Sequence, residues 1–161
     1  LNTSSVLSMA GMFSGCKGLM DLDLSSFDTR LVMSMANMFY DCSNLRSLNV
    51  SSFNTAIVES MTNMFSGCNR LDNLDLSNFS TGNVETMTSM FSNCTDLSNL
   101  DISKFTTNSA TDLAGMFNNC KNLRKLDLSK FTTEQVLNMN SMFYGCEKLA
   151  ELGLSLSPSE E

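Results

Sequence analysis

The chain of 161 residues has no histidine, no tryptophan and a single proline. Without histidine, the side chain that most often acts as a base near neutral pH and most often binds metals is missing. No apolar run approaches the roughly 18 residues of a membrane-spanning helix, so membrane insertion is not expected. No signal peptide opens the chain. Basic residues are scarce: 10 Lys and Arg stand against 17 Asp and Glu, a formal net charge of −7. Such a surface repels phosphates, which argues against nucleic acid and anionic membranes as partners. There is also no nucleophile beside a base and no glycine-rich phosphate loop opening a helix. The expectation is a non-enzymatic protein with no catalytic residue, no cofactor and no metal.

What is present is a period. Cys16, Cys42, Cys68, Cys94, Cys120 and Cys146 each stand 26 residues from the next. The residues around them repeat in phase. Met35, Met38, Phe39, Cys42, Leu45, Leu48, Val50, Ser51, Phe53 and Thr55 are followed by Met61, Met64, Phe65, Cys68, Leu71, Leu74, Leu76, Ser77, Phe79 and Thr81. A fixed period of this size marks a stacked array, in which each unit buries its apolar face against its neighbours. The expected domain is a single solenoid over 1–157, followed by a frayed polar tail at 158–161. Leu1 occupies a slot later filled by Phe, so the chain reads as a segment of a longer protein.

Two local patterns lie inside each repeat. Leu22 and Leu24, with their equivalents, alternate with polar residues, as in a short half-buried strand. Val32, Met35, Met38, Phe39 and Cys42 are spaced by three and one, which predicts a short helical segment. Gly15, Asp41, Gly67, Asn93, Asn119 and Gly145 precede the cysteines. These residue types tolerate a left-handed backbone, so the segment is expected to end there. The Ser25 and Thr29 columns are expected to satisfy backbone groups left unpaired at the tight bends.

The columns Leu-x-x-Leu-x-Leu-Ser and Met-x-x-Met-Phe-x-x-Cys-x-x-Leu together resemble the BspA-like leucine-rich-repeat surface proteins, over nearly the whole chain. The resemblance implies an α/β repeat fold. It would be a right-handed leucine-rich-repeat-like solenoid of about six 26-residue coils, each with one short parallel strand and one short helical segment. The usual Asn column after the strand is replaced by Ser25, Phe27 and their equivalents, which implies a straighter array than a strongly curved horseshoe. The resemblance also implies a cell-surface or secreted location. The role it implies is binding or adhesion to a protein or glycan on another cell or matrix. A structural spacer or stalk with no specific ligand is the alternative.

The cysteine column is expected to be a row of buried, unreactive thiols. Side chains of one column point the same way, so they neither converge on a metal nor face one another as disulfide partners. The Met and Phe columns are expected to pack the core, with Phe27, Phe53, Phe79, Phe105 and Phe131 stacked as a ladder. Asp23, Asn49, Asp75, Asp101 and Asp127 lie between the strand leucines and are expected on the exposed face. Like charges so close destabilise the array unless offset by neighbouring Ser or Lys and by solvent, by a bridging cation, or by a basic partner. This column is the candidate partner-binding face. No polar cap stands at either end, so the terminal coils are expected to expose core surface, to meet neighbouring repeats of a parent protein, or to self-associate end to end.

Overall fold

The structure, a computed structural model, describes residues 1–154. The last residues of the expected domain and the expected tail at 158–161 lie outside the described residues. Six coils stack in parallel and in register, each residue against its equivalent 26 positions away. One row runs the length of the array: Ser8 pairs with Ser34, Ser34 with Ser60, Ser60 with Thr86, Thr86 with Asp112, and Asp112 with Asn138.

Strands form where the Leu-x-Leu alternation predicts them, but not in every coil. They are β1 (Asp21–Asp23), β2 (Ser47–Asn49), β3 (Lys125–Leu128) and β4 (Glu151–Leu154). β1 pairs with β2 and β3 with β4, both parallel. In the third and fourth coils the same position makes only one bridge, Asn73 to Asn99. Asn, which stands at this position in both coils, has low strand propensity.

The expected helical segment is not helical, and no helix occurs among the described residues. In the second coil the span from Met35 to Cys42 is a chain of tight turns. Met38 N–H donates to Met35 O at 3.2 Å, Tyr40 N–H to Asn37 O at 3.1 Å and Cys42 N–H to Phe39 O at 3.2 Å. The intervening N–H groups leave the coil altogether. Met35, Asn37, Phe39 and Asp41 donate to the carbonyls of Ser60, Thr62, Met64 and Ser66 in the next coil, at 2.8–3.0 Å. Two left-handed residues per coil impose this geometry, Asn37 (φ 57°) and Asp41 (φ 55°) in the second. Each takes the third position of a turn, where φ must be positive in a type II turn. The second of these columns is the one expected to end the segment. The first column, Gly11, Asn37, Asn63, Ser89, Gly115 and Ser141, interrupts it in the middle. A right-handed helix cannot pass through a left-handed residue every four positions. The spacing of Met35, Met38, Phe39 and Cys42 is therefore that of inward-facing turn residues, not of a helix face.

The core is continuous. Met35, Met38, Phe39, Cys42 and Leu45 are fully buried, as are their equivalents through the fourth coil. The ring ladder runs through a different phenylalanine column from the one expected. Phe13, Phe39, Phe65, Phe91, Phe117 and Phe143 stack with centroids 5.5–5.8 Å apart and planes within 9°. In the expected column, Phe53 and Phe79 stack at 6.3 Å. Parallel, offset rings at such distances attract one another beyond the area they bury.

All six cysteines are free thiols. Cys42, Cys68, Cys94 and Cys120 are buried as expected, but Cys16 is exposed and Cys146 half-buried because they belong to the outer coils. From Cys42 onward each thiol donates to the carbonyl of a phenylalanine one coil earlier. The series runs from Cys42 to Phe13 at 3.1 Å through Cys146 to Phe117 at 3.0 Å. Burial pushes the Cys42 thiol up to about 11 and Cys120 up to about 12, and raises Cys68 and Cys94 as well.

The threonine column meets its expectation. Thr81 Oγ1 donates to Thr106 O at 2.8 Å and accepts the Thr106 N–H at 2.8 Å, and Thr3, Thr29, Thr55 and Thr107 repeat the arrangement. One hydroxyl thus satisfies both backbone groups of a residue in the neighbouring coil. Among the described residues no buried side-chain nitrogen or oxygen lacks a partner.

Candidate functional site: a polar cleft on the strand face

The alternation of the strand places Asp23, Asn49, Asp75 and Asp101 in one exposed column, continued by the half-buried Asp127. Each has a local structural role. Its Oδ1 accepts the N–H of the serine two residues on, at 2.9–3.1 Å, closing a small turn that ends the strand. Asp and Asn side chains favour this turn because a short carbonyl arm reaches the backbone two residues ahead. These bonds also answer the like-charge problem. The Ser77 N–H and hydroxyl hold the Asp75 carboxyl below its usual value, helped by Lys104 and opposed by Asp101. Ser103 lowers Asp101 and Ser129 lowers Asp127 in the same way, with smaller help from Lys104 and Lys125 respectively. The carboxylates are therefore ionised at neutral pH.

The column is not uniform. At the position of the strand no bridge forms between the second and third coils, or between the fourth and fifth, among the described residues. Over the third to fifth coils the strand face opens into a cleft of about 510 Å³. Its polar lining is Asn73, Asp75, Ser77, Asn99, Asp101, Lys125 and Asp127, over a floor of Leu74, Leu76, Leu100 and Ile102. Asp75, Asp101 and Asp127 are the one uninterrupted run of carboxylates in the column, since Asn49 separates them from Asp23 and Gly153 follows. Their mutual repulsion acts where the strands are least paired. The cleft thus unites three of the five expected residues and leaves Asp23 and Asn49 outside.

Two features of the cleft have weak sequence signals. The Asn73 and Asn99 pair marks the coils with poor strand propensity. Lys104 reaches back one coil to donate to Ser77 O at 3.0 Å, placing a cation at the rim. Lys125 stands on the other side, 3.7 Å from Glu151. The result is an open, mixed-charge, hydrogen-bonding surface. Among the described residues no group of three or more His, Cys, Asp or Glu side chains converges as metal ligands do.

Stacked coils held by in-register side-chain columns define a solenoid repeat protein. The chain belongs to the family described as "Mycoplasma protein of unknown function, DUF285", whose model matches residues 1–99 and again 61–155. The two overlapping matches reflect the internal repeat. Comparison with curated proteins finds no significant match. Among solved structures, one match is a leucine rich cell surface protein from Faecalibacterium prausnitzii A2-165. It is 15% identical, the alignment covers 92% of this chain and 69% of that one, and the TM-score is 0.31. A likeness of that level carries no argument about fold or role.

Proposed function

We propose that this protein is a non-enzymatic binding or adhesion module, displayed on the cell surface or secreted, that takes a protein or glycan partner on the cleft of its strand face. The observation that carries the reading is the cleft around Asp75, Asp101 and Asp127. It combines ionised carboxylates, amide groups and Lys125 over an apolar floor in the middle of the array. Pockets that bind ligands characteristically pair apolar lining with a few placed polar groups. The resemblance to BspA-like surface proteins supports the same reading.

A second reading, a structural spacer, is favoured by a specific observation. The carboxylates bond to their own backbone in every coil that has one, inside and outside the cleft. One variant separates the two readings. Asn49 already makes the same turn with an amide oxygen. The triple substitution Asp75→Asn, Asp101→Asn, Asp127→Asn therefore removes three charges while keeping the turns. The wild type and this variant would be screened on an array of glycans and extracellular-matrix proteins. The module reading expects a specific ligand that the folded variant loses. A wild type with no ligand favours the spacer, and a variant that binds equally well refutes the cleft carboxylates as the site.

A further inference from the structure

The repeat supplies its own control for each outward position, because one backbone shape carries different side chains from coil to coil. Two neighbouring outward columns, on either side of the buried Val32 and Val58, change character along the array. One holds Leu31, Ile57, Asn83 and Ser109, the other Met33, Glu59, Glu85 and Thr111. Leu31, Met33 and Ile57 are 47%, 42% and 43% exposed although coils lie on both sides of them. The fold does not require apolar residues here. Met33 O accepts the Glu59 N–H at 2.8 Å, and Glu59 O and Glu85 O accept the following N–H at the same distance. In the other column Asn83 Nδ2 donates to Ala56 O at 2.7 Å and Ser109 Oγ to Gly82 O at 2.8 Å, bonds that Leu31 and Ile57 cannot make. Three large apolar side chains thus stand in water where the same chain elsewhere uses polar ones. Glu59 and Glu85 are likewise unneeded, since Thr111 fills their column in the next coil. They follow one another in directly paired positions, where like charges destabilise the pairing. Among the described residues neither has an ion-pair partner. With Ile57 they line a groove of about 290 Å³, completed by Asn83 and Ser109.

We propose that this corner of the array, from Leu31 and Met33 to Glu59 and Glu85, is a second docking surface, for a segment of another protein that carries large apolar side chains next to Lys or Arg. Contiguous exposed apolar surface with a polar rim marks sites of protein contact. The apolar and acidic parts adjoin at Ile57 and Glu59, so the occupant has to offer both features within a short stretch. Burial of Leu31, Met33 and Ile57 supplies an attraction without direction. Cations set against Glu59 and Glu85 remove the repulsion between them and fix which way the segment lies. A second copy of this chain fits poorly. The cation next to the patch in sequence, Arg30, is already paired with Asp28 at 2.7 Å, and each copy carries −7 overall. The surface shares no residue with the cleft over Asp75, Asp101 and Asp127, and the inference is independent of any ligand there.

The repeat also supplies the variants. Leu31→Ser, Met33→Thr and Ile57→Asn together place at each position a residue that the same column carries in a later coil, so the fold is kept, as circular dichroism and urea unfolding check. Glu59→Gln with Glu85→Gln removes the two charges at nearly constant shape. The probe is an array of short synthetic peptides in three sets: Leu and Phe mixed with Lys and Arg, Leu and Phe mixed with Asp and Glu, and Ser and Gly mixed with Lys and Arg. The wild type binds members of the first set and neither of the others, and binds them more weakly as salt is raised. On the strongest of these peptides the apolar variant and the charge variant each lose about tenfold or more in affinity, as removal of residues central to an interface does. The variant Asp75→Asn, Asp101→Asn, Asp127→Asn loses nothing. A wild type that binds no set, or binds the third set as well as the first, overturns the inference. So does first-set binding that survives either variant, or that is lost in the cleft variant. A wild type whose mass in sedimentation equilibrium rises with concentration, while the apolar variant stays monomeric, overturns it in favour of a second copy.

Discussion

Thr81→Val tests the hydroxyl column at its most informative point. Valine has nearly the shape of threonine, so the packing of the buried Thr81 site is kept and only the hydroxyl is lost. That hydroxyl is both donor and acceptor to Thr106, each bond 2.8 Å long. Its removal orphans an N–H and a carbonyl in the neighbouring coil. A buried backbone group without a partner costs about 1–3 kcal/mol. Thr106 is half-exposed, so water recovers part of that loss and the expected destabilisation is about 2–4 kcal/mol for the two groups together. At roughly 2–4 °C per kcal/mol for a chain of this size, the thermal midpoint falls by about 5–15 °C. Urea unfolding followed by circular dichroism measures the change. Thr81→Ser is the control: it keeps the hydroxyl and removes one methyl group, so it should lose less than the valine variant. A valine variant within about 0.5 kcal/mol of wild type, well inside the orphan-group cost, would refute the view that these hydroxyls hold the coils together.

Phe65→Ala opens a cavity between the rings of Phe39 and Phe91, which lie 5.5 and 5.6 Å from its own. Urea unfolding should show a loss of about 3–5 kcal/mol. The native protein should label rapidly with a maleimide at Cys16, slowly at Cys146 and not at the four buried cysteines, whereas the denatured chain should label at all six. The buried thiols also set an alkaline limit. Unfolded thiols ionise near pH 8.5, while burial holds Cys42 to about 11 and Cys120 to about 12. Between those values the unfolded chain binds fewer protons than the folded one, so stability should fall as pH rises from about 9 to about 11, as read by urea midpoints. At the acidic side the sign reverses. Asp75, Asp101 and Asp127 have lowered pKa values, so their contribution is complete above the usual carboxylate range and is lost as pH falls through the folded values. Asp75→Ala should destabilise the fold at neutral pH, and Asp75→Asn should not. Equal stability of the two variants would show that the turn to Ser77 contributes nothing.

The 26-residue period determined the architecture without any coordinates. Six copies in phase require stacked equivalents, and the inward columns followed from it: Met35, Phe39, Cys42, Leu45 and their equivalents are buried. The period also placed Asp23, Asn49, Asp75, Asp101 and Asp127 in one solvent-facing column, and the threonines at the tight bends; that their hydroxyls bond across to the next coil was seen only in the structure. The nature of the curved segment was not legible. Apolar residues three and one apart satisfy a helix face and a run of tight turns equally. Only the left-handed backbone at Asn37 and its equivalents separates the two, and two members of that column are serines, Ser89 and Ser141, which carry no such signal. The choice of phenylalanine ladder was hidden for a related reason: both columns have the same period, and only the packing geometry brings the Phe39 rings into a continuous stack.

The sequence by itself thus determined which residues share a row and which rows face inward, because a strict period leaves no freedom in register. Tertiary structure alone decided how each row is used. Strand pairing shrinks to the single bridge between Asn73 and Asn99, beside the cleft over Asp75, Asp101 and Asp127, because strand pairing is a balance between neighbouring coils and not a property of any one of them. The direction of the backbone hydrogen bonds between coils likewise exists only once the coils are stacked.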